Sequence, residues 1–143
     1  YEEYLLANFS LDNSYQNQLD NLVTKSKGEV VVFLPPSSFP NIEAKEALKK
    51  IALIGLSSWG WFEYSLKRKN IIQNIKKITT LVRSIPDIEQ GIFFTKRLYF
   101  SVGGSGSFSS KTFAEISKRL YSRIDPQKPL PALIIRTKNL KLN

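Results

Sequence analysis

The sequence predicts a small α+β (or α/β) domain, a sheet of three or four strands packed with about four helices in the order α-β-α-α-β-α-β. Three observations predict it. Apolar residues spaced three and four apart alternate along the chain with short β-branched or aromatic runs, and Gly and Pro fall at the junctions. The chain has 143 residues, of which 42% are hydrophobic, so there is enough apolar material for one packed core and too much for a disordered chain. Residues 1–143 are therefore read as a single globular domain, with 1–10 and 138–143 expected to be flexible ends.

The first helix is expected after Asp12, which can cap it, because Tyr15, Leu19, Leu22 and Val23 share one face; Gly28 closes it. Glu29-Val30-Val31-Val32-Phe33-Leu34 is a continuous apolar run ended by Pro35-Pro36, the pattern of a strand covered on both faces, and it is placed centrally in the sheet. Pro40-Asn41 opens a second helix. Its order of Glu43 and Glu46 before Lys49 and Lys50 suits the helix dipole, and Gly55 is the expected stop. The longest helix is expected from Leu66 to Ile85, where Ile71, Ile75, Ile78, Val82 and Ile85 recur before Pro86.

Ile92 to Val102 reads as one long strand or a hairpin turning near Lys96-Arg97, with Ile92, Phe94, Leu98, Phe100 and Val102 on one face. Thr112 and Glu115 form a capping box for a last helix with the stripe Phe113, Ile116, Leu120 and Ile124. Leu133-Ile134-Ile135 is a final strand, and the connection to it has the length of a right-handed crossover, which would set it parallel to the strand at Phe100.

Composition narrows the function more than any motif does. The chain has no His, Cys or Met, which removes disulfides, thiolate nucleophiles, imidazole acid-base chemistry, the usual zinc sites and haem ligation. No cofactor and no metal are expected, and the reading points away from catalysis. The longest apolar run, Ile51 to Phe62, is far short of a membrane-spanning helix, so the chain is read as soluble. Compartment stays open, leaning to the cytoplasm, with an exported or membrane-attached domain as the alternative.

Charge is the strongest signal. The formal net charge is +9, but residues 1–63 sum to −3 and residues 64–143 to +12. A positive field gathered in one half attracts anions. On the helix expected over 66–85, Lys69, Lys76 and Arg83 fall in a polar stripe beside the Ile stripe, with Lys67, Arg68 and Lys77 adding to it. Lys111 lies at the start of the last helix. These seven bases are the candidate contacts to a polyanion, nucleic acid in first place. No zinc-finger, KH or RRM signature accompanies them, so phosphate contact without base reading is expected.

Two further constellations compete. Trp59, Trp61 and Tyr64, next to Lys67-Arg68-Lys69, would suit a partner surface, stacked bases or a membrane interface if exposed, and would be core otherwise. They carry the alternative reading, a protein-interaction or scaffold domain of a larger and potentially membrane-associated assembly, with an open sheet edge as a second docking route. The loop from Gly103 to Thr112 follows an expected strand and opens an expected helix, the setting in which backbone N–H groups bind phosphate. Gly103, Gly104, Gly106, Lys111 and Thr112 are its candidate residues. The loop resembles the Walker A motif of P-loop nucleotidases at Lys111-Thr112 alone. Ser105 and Ser110 stand where that motif has Gly, and Arg136 ends the last strand where a magnesium-holding Asp belongs. It is therefore read as an anion or phosphate-ligand site without catalysis, the third reading, beside an ordinary glycine-serine turn.

Overall fold

The structure is a computed structural model, and it describes residues 4–5, 15–64, 85–105 and 113–135. The described elements are α1 (Tyr15–Lys25), β1 (Val30–Phe33), β2 (Ser38–Phe39), α2 (Ile42–Ile54), β3 (Trp59–Gly60), a 3-10 turn at Ile88–Gln90, β4 (Ile92–Thr95), α3 (Lys96–Ser101), α4 (Ala114–Tyr121) and β5 (Ile134–Ile135). They make a small α+β domain with an antiparallel three-stranded sheet in the order β1-β4-β3 and a two-stranded ribbon of β2 and β5.

The period-two alternation of strands divides the core into two layers. Val31 and Phe33 of β1, Ile92 and Phe94 of β4, and Trp59 and Trp61 point to one face, where Val23, Tyr99, Phe113, Ile116 and Leu120 from the helices cover them. Val32, Phe93 and Phe62 point to the other, against Ala44, Leu48 and Ile51 of α2 and Leu133. Helices therefore pack on both faces, and this explains the unbroken apolar run of β1. The run records two covered faces rather than two paired edges: β1 lies at the edge of the sheet, and the central strand is β4.

Local signals position α2 as its sequence requires. The Asn41 side chain accepts from the Ala44 N–H at 2.8 Å, and Gly55 takes the left-handed conformation with φ 75° and returns its N–H to the Ile51 carbonyl. Three further expectations are corrected. The chain from Ile92 is neither one long strand nor a hairpin: β4 stops at Thr95 and α3 follows at once, burying Leu98 and Tyr99 and leaving Phe100 half-exposed. The last strand does not run parallel to a strand at Phe100; β5 pairs antiparallel with β2, Phe39 opposite Ile134. Phe113, not Thr112, stands at the N-cap of α4, and the Glu115 carboxylate meets Arg119 one turn on, at 3.1 Å. Residues 66–84 of the expected helix over 66–85, Asp12 and Thr112 lie outside the described residues; Ile85, expected to end its apolar stripe, is half-exposed and belongs to no helix.

The sheet's two edges are treated differently. Beside β3, the extended segment after α4 runs along the strand: the Gln127 N–H donates to the Trp59 carbonyl at 2.8 Å, Leu130 N–H to Trp61 at 3.0 Å, and Glu63 N–H to Leu130 at 2.8 Å. Pro126, Pro129 and Pro131 punctuate that segment, so beyond the Gln127 and Leu130 N–H groups given to the strand it has few donors left.

Candidate functional site

Among the described residues the charges nearly balance, with eleven bases and nine acids. Several of the bases are tied into the fold. Arg119 Nη1 donates to the Gly103 carbonyl at 2.9 Å while its Nε pairs with Glu115, Arg123 donates to the Ser101 carbonyl at 3.2 Å, and Lys96 Nζ donates to the Ser26 carbonyl. Lys49 lies 3.8 Å from Glu46 on the outer face of α2. The net charge of the described residues is therefore small.

The excess positive charge belongs to other parts of the sequence. Residues 65–84 contain six bases and no acid, and 136–143 contain three bases and no acid. Lys67, Arg68, Lys69, Lys76, Lys77, Arg83 and Lys111 all lie outside the described residues. What is described is the base from which the 65–84 segment leaves and to which it returns. The Phe62 N–H donates to the Gln90 carbonyl at 3.3 Å, the Gln90 side-chain amide donates back to the Phe62 carbonyl at 3.2 Å, and the Tyr64 hydroxyl donates to the Asp87 carboxylate. Asp87 is itself fixed, its N–H donating to Gln90 Oε1 at 2.9 Å in a capping box that starts the 3-10 turn. Gln90 is buried, so its paired amide is a structural clip for the neck.

The aromatic run serves the core. Trp59 is 0% exposed and Trp61 8%, and Trp59 Nε1 donates to the Ile124 carbonyl at 2.9 Å. Neither ring offers a face to a base, a headgroup or a partner. Tyr64 is partly buried, and its hydroxyl closes the neck. The two described glycines of the phosphate-loop candidate are likewise committed. The Gly103 N–H donates to the Phe100 carbonyl at 3.1 Å and the Gly104 N–H to Tyr99 at 3.0 Å, which closes the C-terminal end of α3, while Arg119 holds the Gly103 carbonyl. Both have left-handed φ, 83° and 85°, and a Cβ on Gly104 would lie 2.7 Å from an Asp20 carboxylate oxygen. These residues make a helix end that fits against α1. Gly106, Lys111 and Thr112 lie outside the described residues.

Sequence reasoning missed two features. Asp20 of α1 accepts the Tyr99 hydroxyl across the core; burial pushes the Tyr99 phenol well above its ordinary value, the Asp20 hydrogen bond adds to the rise, and Ser105 offsets part of it. A lone Asp in an amphipathic helix carries no signal of such a partner. The other is the apolar end of α2, where Leu53, Ile54 and Leu56 are exposed, Leu53 at 86%. The succession Leu53-Ile54-Gly55-Leu56 could have shown it, since residues on either side of a helix stop cannot all share the buried face. Compared with protein families, curated proteins and solved structures, the chain matches none.

Proposed function

We propose that this is a non-catalytic binding domain that contacts a polyanion, nucleic acid, through phosphate charge rather than base identity. One observation carries the reading: a nearly charge-balanced body clamps together the ends of a twenty-residue segment that holds six bases and no acid. Clustered cations without acids release counterions on meeting a phosphate backbone, which gives affinity with little sequence preference. The test is titration of labelled single- and double-stranded oligonucleotides at several salt concentrations. The expected slope of log affinity against log salt is about −0.9 per phosphate neutralised on duplex, so six contacts give about −5. Lys76→Glu with Lys77→Glu should weaken binding and flatten that slope. A slope near zero removes the reading.

A second reading, a protein-interaction domain, is favoured by the exposed Leu53, Ile54 and Leu56 at the end of α2. It predicts partner binding that survives high salt and is lost on Leu53→Glu. An anion site at the 103–112 loop draws no support from Gly103 and Gly104, whose N–H groups already have acceptors.

A further inference from the structure

We infer that the protein pairs with a second copy of itself through the edge of β1, extending the three-stranded sheet into one of six strands. The argument starts from ladder parity. The Lys96 N–H donates to the Glu29 carbonyl, so in the antiparallel register that places Val30 opposite Thr95 it is Glu29, Val31 and Phe33 whose backbone groups bond to β4. The Thr95 N–H confirms the parity by bonding away from β1, to Ser58. The N–H and C=O of Val30 and Val32 therefore point outward from the sheet, and among the described residues no other group bonds them. Val30 to Phe33 are only partly buried.

Two of the devices that protect an open edge are missing from this strand. The strand Val30-Val31-Val32-Phe33 has no Pro and no charge, whereas the opposite edge is covered by the proline-punctuated Gln127–Leu130 segment. An edge of this kind is a template for an added strand.

The occupant that fits is an identical edge. Antiparallel pairing about a two-fold axis at Val31 sets Val30 opposite Val32 of the second copy and Val32 opposite its Val30. Both outward-pointing residues then exchange hydrogen bonds, four in all, from one register. In the same register Val31 meets its own counterpart, Phe33 meets the methylene stem of Glu29, and no like charges are opposed. Each face of the joined sheet continues the layer already formed on one copy, Val31 and Phe33 on one side and Val32 on the other.

Sedimentation equilibrium of the full chain over a wide concentration range tests this, together with Val32→Pro and Val30→Lys. The Val32 N–H is not used in the β1–β4 ladder, so Pro removes an outward donor and leaves the bonds of that ladder in place; Lys places a charge in the new edge without touching any hydrogen bond. The expected result is a mass rising from one chain toward two for the natural sequence and that of one chain for either folded variant, folding being checked by circular dichroism. A single-chain mass at every concentration, or a dimer retained by the folded variants, overturns the inference. So does hydrogen-exchange protection of the Val30 and Val32 amides that is unchanged on dilution, because the edge would then be covered by the chain itself.

Discussion

Replacing Trp59, once by Ala and once by Phe, tests the packing on which the reading of the aromatic run depends. The ring is fully enclosed, meets Tyr121 edge-on with centroids 4.9 Å apart, and donates to the Ile124 carbonyl at 2.9 Å. Truncation of a buried Trp to Ala costs about 3–5 kcal/mol, the lost contacts and the cavity together. Phe keeps most of the ring and loses the hydrogen bond, so it should cost about 1–2 kcal/mol. Against a total stability of about 5–15 kcal/mol, the Ala variant loses a large fraction and the Phe variant stays folded. Urea unfolding followed by the fluorescence of Trp61, present in both variants, reads the difference. With a slope of about 2 kcal/mol per molar urea, the midpoint should fall by about 2 M for Ala and by less than about 1 M for Phe, the slope itself unchanged. An Ala variant shifted no further than the Phe variant would refute the reasoning, since a ring that costs nothing to remove is not filling the core.

Gly91→Ala should destabilise by about 2–4 kcal/mol, because φ there is 67° and a Cβ would lie 2.9 Å from the Phe33 carbonyl oxygen, which belongs to the backbone and cannot swing aside; thermal unfolding measures the loss. Tyr99 gives a pH dependence. Its phenol titrates higher in the folded chain than its ordinary value of 10.0, so the unfolded chain gives up the proton first, and the contribution is fully present below about pH 10 and lost as pH rises beyond it. Urea midpoints compared below and above that value should fall more steeply for the natural sequence than for Tyr99→Phe, and equal slopes would count against the buried phenol.

Legibility in the sequence followed the strength of the local signal. Asn41 and Gly55 bracket α2 as their chemistry demands, and of the expected stripe Phe113, Ile116 and Leu120 are buried while Ile124, beyond the end of α4, is partly so. The run from Ile92 to Val102 misled because apolar residues at even positions also fit a strand that gives way to a helix. Tyr99, at an odd position, is fully buried, and Phe100, at an even one, is half-exposed. The continuous apolar run of β1 told correctly of two covered faces, but nothing in it distinguishes an edge from a centre, because edge position is fixed by which distant strand arrives alongside. The candidate site was legible only as charge: acid-free stretches of bases can be counted in a sequence, while the neck of Tyr64, Asp87 and Gln90 depends on contacts across more than twenty residues that no spacing rule announces.

The prolines that flank Gln127 and Lys128 have a consequence for growth. A sheet with two usable margins can add strands without limit and polymerise into a fibre, whereas one whose far margin is occupied by a segment poor in N–H donors can be extended from one side alone. When the strand along β1 is that of a second copy, both outer margins are occupied in this way and growth stops at two chains.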